Sequence, residues 1–251
     1  MLGNIKAEFL SKKQLSPDTY EFTFLCKDPK EIDFLPGQYL IVIFNINGET
    51  IRRFYSISSP LRQSDNEASA KQEKNKIEFI VKIFDSGVGS KYLMNLQKND
   101  EVQMQGPAGL FVLKDSLKNK VLIATGTGIA PIFSMIKTHM KEMKSKVMLM
   151  WGLRKNEDIY YYDMLRDMAT KYENFSFEIF ISREEPAENK NISILHGRVN
   201  NGVDKLIDDQ NVDKSNTEFY ICGDKNTMDS IRGYLIEKQI LPENIKMEKF
   251  T

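Results

Sequence analysis

Val121-Leu-Ile-Ala-Thr-Gly-Thr-Gly-Ile-Ala-Pro131 is the stretch that decides the fold of this chain. Val121–Thr125 is a continuous apolar run ending in threonine, the pattern of a strand buried on both faces. Gly126 and Gly128 end it, and a helical pattern follows over Ile129–Met143. Pro131 suits a first helical turn, where a missing N–H removes no hydrogen bond. Toward the C-terminus the alternation continues. Val147–Gly152, Phe175–Ser182, Glu218–Cys222 and Ile245–Glu248 read as strands, and Asp158–Tyr172 and Met228–Lys238 as helices. Strand–helix alternation predicts right-handed βαβ units and a parallel sheet.

Upstream the pattern is different. Ile5–Leu10, Tyr20–Leu25, Gln38–Ile46, Arg52–Ile57, Ile77–Phe84 and Glu101–Gln105 are short β-rich runs. Ser16-Pro17-Asp18, Pro36-Gly37, Asn47-Gly48 and Gly106-Pro107 separate them as turns. One short helix, Val88–Leu96, interrupts, and the polar stretch Arg62–Lys76 reads as an exposed loop. The change of character near residue 115 predicts two domains. An antiparallel six-stranded β-barrel covers 1–115, and a Rossmann-like α/β domain with a parallel sheet covers 116–251.

The chain has 251 residues, with 35 Lys and Arg against 35 Asp and Glu, and 41% of it is hydrophobic. This is a globular composition, which excludes a disordered chain, a collagen-like repeat and a disulfide scaffold. Balanced, interspersed charge argues against a nucleic-acid binder. The longest apolar run, Tyr39–Phe44, is far short of the roughly 20 residues of a membrane span. Met1–Leu15 carries charges throughout and no apolar export core, which predicts a cytoplasmic protein. Cys26 and Cys222 cannot supply the four ligands of an all-cysteine iron–sulfur cluster, and free thiols are expected in a reducing compartment. His139 and His196 have no metal-binding spacing, so no metal site is expected.

Three local patterns carry chemistry. Gly126 and Gly128, with Thr127 between them, let the backbone approach a pyrophosphate at a helix start. Pro131 replaces the last glycine of the usual G-x-G-x-x-G, so the same residues also fit an ordinary strand–helix turn. Arg53-Phe54-Tyr55-Ser56 follows a strand pattern in which Arg53 and Tyr55 share a face, suited to a phosphate and a ring. Taken alone it also fits a surface strand. Gly87-Val88-Gly89-Ser90 heads a short helix, as a second anion site or a plain cap.

These patterns occur in one order, together with Gly106-Pro107-x-Gly109-x-Phe111 and Cys222-Gly223-Asp224. In that combination the sequence resembles the ferredoxin–NADP reductase superfamily of flavoproteins over nearly its whole length. The closing Glu248-Lys-Phe250-Thr251 looks like the tail of its oxygenase-reductase members. The resemblance implies FAD on the barrel and NADPH, or NADH, on the α/β domain. Hydride passes from nicotinamide to flavin N5, and electrons leave to a separate carrier: ferredoxin, flavodoxin or an oxygenase component. A free-flavin reductase and an electron-transfer subunit of a larger complex are the competing readings.

The resemblance also assigns residues. Arg53 meets the flavin pyrophosphate, Tyr55 packs on the isoalloxazine, and Ser56 lies near N5, with Phe54 in the same cofactor-binding motif. Gly87, Val88, Gly89 and Ser90 hold the flavin phosphates through backbone N–H groups. Gly126, Thr127, Gly128 and Pro131 hold the nicotinamide dinucleotide. Cys222 sits beside the nicotinamide, with Gly223 and Asp224 in its motif. Ser56, Cys222 and Glu248 form the expected catalytic set, Glu248 tuning charge or protons. Phe250 takes the place of a terminal aromatic stacked on the flavin, although it is penultimate and not Tyr, as in plant-type relatives.

Nicotinamide choice is read from Ser182-Arg183-Glu184, where NADP-dependent relatives place a Ser-Arg pair. A guanidinium suits the 2′-phosphate dianion. Arg198, in His196-Gly-Arg198-Val199, resembles a second phosphate contact. Glu184 and Glu185 oppose this, since an acidic residue suits a free ribose hydroxyl. NADPH is the expected donor, with NADH open. The basic run Lys137–Lys146 reads as a solvated helix face or as docking for an acidic carrier. Met135, Met140, Met143, Met148 and Met150 read as core, and Gly152 as a close approach at the sheet's carboxyl edge.

Overall fold

The computed structural model describes residues 2–61, 75–187, 193–208 and 212–250. Residues 62–74 of the expected polar loop lie outside the described residues, and Lys76 already belongs to a strand. The chain divides into two compact units, Met1–Leu113 with Ala130–Thr138, and Lys114–Ile129 with His139–Thr251.

In the first unit the strands are β1 (Gly3–Ser16), β2 (Thr19–Asp28), β3 (Tyr39–Ile46), β4 (Glu49–Ser56), β5 (Lys76–Lys82) and β6 (Glu101–Ala108). Helix α1 (Val88–Asn95) stands between β5 and β6. Apolar side chains alternate with polar ones, so Ile5, Ala7 and Phe9 on β1 and Phe22 and Phe24 on β2 all fall on a buried face. The strands pair antiparallel in the order β4-β3-β6-β1-β2-β5. The two outer strands also meet. Ile57, just past β4, bridges to Phe79 on β5, and the Ser58 amide donates to the Glu78 carbonyl at 2.8 Å. These contacts bring the two outer strands together and close the sheet into a barrel at that point. Asn47 and Gly48, at φ 51° and 83°, form the two-residue β3–β4 turn that matches strand twist.

Some boundaries depart from expectation. β1 runs past Leu10 because the polar residues Ser11–Gln14 still pair with β2. Gly106-Pro107 is not a turn: Gly106 pairs with Gly3, and the strand continues to Ala108 opposite Tyr39.

The second unit is a parallel sheet. Its elements are β7 (Asn119–Thr125), α2 (Ile129–His139), β8 (Val147–Leu153), α3 (Tyr162–Lys171), β9 (Phe175–Ile181), β10 (Ile194–His196), α4 (Val199–Asp208), β11 (Thr217–Asp224), α5 (Lys225–Glu237) and β12 (Ile245–Phe250). Most of α2, Ala130–Thr138, is counted with the first unit. The strand order is β10-β9-β8-β7-β11-β12, all parallel. The chain enters in the middle at β7, winds outward to β10, and returns to β11 on the other side. That reversal puts a ligand crevice at the carboxyl ends of β7 and β11.

α2 ends at His139 rather than Met143, where the His139 carbonyl accepts the amides of Glu142 and Met143. α3 starts at Tyr162 rather than Asp158, because Asn156–Asp158 form a 3₁₀ turn and Tyr161 is left-handed at φ 57°. α5 starts at Lys225, capped by the Asp224 carboxylate. The sequence reading assigns nothing to β10 and α4, yet Val199, Val203 and Ile207 line a buried stripe on α4. Met135, Met140 and Met150 are buried, and Met143 and Met148 half-buried. Among the described residues no helix is long and apolar enough to cross a membrane.

A buried ion pair ties the amino ends of β7 and β11. Lys120 is 1% exposed, and its Nζ lies 3.0 Å from Glu218 Oε2. It also donates to Ser116 Oγ and to the Lys118 carbonyl, both at 2.7 Å, while the Tyr220 hydroxyl donates to Glu218 at 3.1 Å. A desolvated ammonium is tolerated here because its protons all find acceptors. Burial alone would raise the Glu218 carboxyl; the hydrogen bond and charge of Lys120 outweigh it and hold the group below its usual value. Glu218→Gln leaves Lys120 without its counter-charge and is expected to lower unfolding free energy by about 3 kcal/mol at pH 7, read by urea unfolding. With the folded pKa depressed, the stabilisation is present above the unfolded value near ~4.3 and is lost as pH falls through the folded one. The difference between the two proteins therefore shrinks in acid.

Candidate functional site

On the barrel unit, β4 delivers the first motif. Val42, Leu40 and Tyr39 of β3 pair with Arg53, Tyr55 and Ser56. Arg53 and Tyr55 share one face. Phe54 lies on the other, 63% exposed and edge-on to Tyr39 at 5.4 Å, so the fold does not bring it to Arg53 and Tyr55. Tyr55 is anchored from below by a chain of rings. Phe9 to Phe24, Phe24 to Phe79 and Phe79 to Tyr55 lie 5.5, 5.5 and 5.7 Å apart. Burial pushes the Tyr55 phenol up to about 12, despite Arg53, so it remains a neutral donor.

The second motif meets the first. A Cβ at Gly89 would stand 2.7 Å from the Tyr55 hydroxyl and 3.1 Å from Arg53 Cγ. Only a glycine lets the first turn of α1 approach so closely. Gly87 is the N-cap, and the Lys91 amide closes the first turn on its carbonyl at 2.9 Å. The amides of Val88, Gly89 and Ser90 therefore head the helix beside Arg53, without intrahelical partners. The Ser90 hydroxyl accepts the Phe84 amide at 3.0 Å, so its side chain holds the loop. Ser56 is buried, and the backbone just beyond it is held by α2. Ser134 Oγ donates to the Ser59 carbonyl at 2.7 Å, and Thr138 Oγ1 accepts the Leu61 amide at 2.8 Å.

On the sheet unit, the second site forms at the carboxyl ends of β7 and β11. Gly126 is exposed at φ 51°, with open space where a Cβ would stand, and Trp151 Nε1 donates to its carbonyl at 2.9 Å. A Cβ at Gly128 would lie 2.2 Å from the Cys222 carbonyl oxygen, and one at Gly223 would lie 2.0 Å from Thr125 Oγ1. Thr127 is half-buried between the glycines, and Pro131 is buried in the first turn of α2. Both Asp224 oxygens serve the fold: Oδ1 accepts the Thr227 amide at 3.0 Å and Oδ2 the Thr125 hydroxyl at 3.2 Å. Burial would raise the Asp224 carboxyl, but these bonds and the charge of Arg154 keep it low. Cys222 is fully buried and pairs across the sheet with Glu248. Burial, then the Glu248 charge, pushes its thiol well above the usual range. The Phe250 backbone pairs with Asp224.

The nucleotide edge extends across three more strands. Ser182 donates both its amide and its hydroxyl to the Leu153 carbonyl, each at 3.1 Å, so its side chain is engaged in the fold. The Arg183 amide donates to the Arg154 carbonyl at 3.0 Å, and the Gly197 amide to the Ile181 carbonyl at 2.7 Å. Arg154, Arg183 and Arg198, all exposed, thus follow the carboxyl ends of adjacent strands β8, β9 and β10. The sequence reading places Arg154 after a strand, in Trp151-Gly152-Leu-Arg154, but gives it no role, although it stands just past a strand end as Arg183 does. Gly152 makes the expected close approach, with Val199 3.1 Å from where its Cβ would stand.

Residues 6–113 match the model of the oxidoreductase FAD-binding domain, and residues 122–233 that of the oxidoreductase NAD-binding domain. The chain belongs to the ferredoxin–NADP reductase superfamily. The chain is 28% identical over 241 residues to the electron transfer component of 2-halobenzoate 1,2-dioxygenase of Burkholderia cepacia, covering 94% of this chain and 64% of that protein. It is 29% identical over 184 residues to ferredoxin–NADP reductase B of Sorangium cellulosum, covering 72% and 71%. It therefore spans just under two thirds of the length of the first of these relatives. In fold it matches a ferredoxin NADP+ reductase from Neisseria gonorrhoeae with bound FAD and NADP, at TM-score 0.80, 19% identity and 98% coverage of both chains. The reductase GcoB of Amycolatopsis matches at TM-score 0.82 and 23% identity, covering 100% of this chain and 70% of that one.

The residues present fit both cofactors. Gly89 keeps a helix start open beside Arg53 and Tyr55, and Gly126 keeps a turn open at the sheet's switch point. Gly128→Ala sets a methyl against backbone and is expected to destabilise the protein by about 1–3 kcal/mol and to weaken nicotinamide binding, read by thermal unfolding and titration. The raised thiols make a second expectation, since burial also pushes Cys26 to about 12. Iodoacetamide at about pH 8 leaves both cysteines of the native protein unmodified and alkylates both after unfolding, read by mass spectrometry.

Proposed function

We propose that this chain is an NADPH-dependent flavoprotein reductase, in which residues 1–115 bind FAD and residues 116–251 bind NADPH. The observation that carries the reading is Gly89, whose missing side chain brings a helix start against Arg53 and Tyr55. Bound FAD supplies hydride acceptance from the nicotinamide and release of electrons to a carrier. The chain supplies the rest. Arg53 and the amides of Val88, Gly89 and Ser90 hold the pyrophosphate. Tyr55, neutral and braced by Phe79, packs on the ring, and buried Ser56, next along the strand, lies near flavin N5. Gly126 and Gly128 admit the nicotinamide dinucleotide, and Cys222 offers a neutral thiol beside the nicotinamide. Glu248 sets the local charge there.

Arg183 and Arg198, joined by Arg154, support NADPH over NADH, because guanidinium groups suit a phosphate dianion. The relatives named as dioxygenase electron-transfer components and ferredoxin reductases support a separate protein as acceptor: ferredoxin, flavodoxin or an oxygenase component. The test is a visible spectrum of purified protein, followed anaerobically as NADPH is added. A flavin spectrum that bleaches is expected. A colourless protein that reduces added flavin would make flavin a substrate, and a flavin that neither nicotinamide bleaches would leave an electron-transfer subunit. Arg183→Ala is expected to raise the NADPH KM by tenfold or more, roughly the loss of one charged hydrogen-bond pair, and the NADH KM by less than about twofold. Arg53→Ala is expected to lower the flavin-to-protein ratio after gel filtration.

A further inference from the structure

Glu184 follows Arg183 directly and is the obvious competitor for its guanidinium. The structure engages it elsewhere. Glu184 Oε1 accepts the Asn156 amide at 2.5 Å and Asn156 Nδ2 at 2.8 Å. Asn156 holds the rest of the turn as well: its Nδ2 donates to the Glu185 carbonyl at 2.9 Å, and its Oδ1 accepts the Ala187 amide at 2.9 Å. The neighbouring charges fit this arrangement. Lys155 feels the Glu184 charge, with Glu157 and Asp158 on the same turn, and Glu185 faces His196 at 3.6 Å. Among the described residues no ion pair engages the Arg183 guanidinium, which is exposed.

We infer that Asn156 is a positioning residue for nicotinamide specificity: by holding Glu184, it leaves the Arg183 guanidinium open to the 2′-phosphate of NADPH. This rests on the NADPH reading above. A carboxylate released beside Arg183 would neutralise it and repel the incoming dianion, and both effects weaken NADPH without touching NADH. On this proposal Glu184 does not select against the phosphate, because it is turned away by a residue on the neighbouring loop.

The experiment measures kcat/KM for NADPH and NADH with the flavin-loaded full chain. Asn156→Asp sets a like charge against Glu184 while keeping the acceptor for Ala187. It is expected to lower the NADPH-to-NADH ratio about fivefold or more. Adding Glu184→Gln restores a donor–acceptor pair and the original number of carboxylates, and is expected to return the ratio. Arg183→Ala tests the underlying reading: an unchanged ratio there sinks the NADPH assignment itself. A selective loss in Arg183→Ala, with no change of ratio in Asn156→Asp, overturns the role of Asn156 alone. So does an equal loss for both nucleotides, or a loss that Glu184→Gln does not reverse.

Discussion

The nucleotide edge depends on a contact that leaves no room for a side chain. The position where a Cβ of Gly128 would stand is 2.2 Å from the Cys222 carbonyl oxygen, so the turn after β7 can settle on the end of β11 only as glycine. That approach fixes three things at once. The Gly126–Gly128 turn sits where strand order reverses, at the carboxyl ends of β7 and β11. Thr125 comes within reach of Asp224, whose carboxylate then caps α5. Cys222 becomes fully buried, and its thiol neutral. The buried Lys120–Glu218 pair secures the same two strands at their other ends.

The barrel obeys a similar rule with different materials. Gly89 rather than Gly128 is the residue without room, and the neighbours are side chains: the Tyr55 hydroxyl and the Arg53 stem. The ring chain from Phe9 to Tyr55 makes that neighbour rigid, since aromatic contacts at these distances fix orientation as well as burying area. Both units therefore offer backbone amides at a helix start, kept open by glycine and braced by packed groups. That arrangement fits the proposed function, in which the chain supplies binding and orientation and the cofactors it would hold supply the electron chemistry.

Several hydroxyl and carboxylate groups in the motifs are engaged in hydrogen bonds of the fold itself. Ser90 accepts the Phe84 amide, Ser182 donates to the Leu153 carbonyl, and Asp224 caps a helix. Phe54, in the middle of the β4 motif, faces away from Arg53 and Tyr55. For these residues the motif preserves the geometry of its neighbours. Arg154 shows the converse, since the sequence reading gives it no role, yet the Arg183 amide donates to its carbonyl at the sheet's edge.

The two fold classes, the order of strands in the chain and the glycines at 87, 89, 126 and 128 were legible in the sequence, because periodicity, turn chemistry and glycine freedom act over a few residues. Helix ends were less legible: Tyr161 in a left-handed conformation and the turn after His139 depend on surroundings that local propensity does not encode. β10 stayed hidden because a three-residue strand carries almost no periodic signal, whereas α4 does carry a readable apolar spacing at Val199, Val203 and Ile207 that the sequence reading missed. Only the tertiary structure decided that Phe54 faces away, that Arg154, Arg183 and Arg198 gather on one edge, and that Glu184 turns to Asn156. Those facts are set by strand register and by partners some 30 residues apart, such as Asn156 and Glu184, and hydrogen bonds across that separation exist only once the sheet has paired.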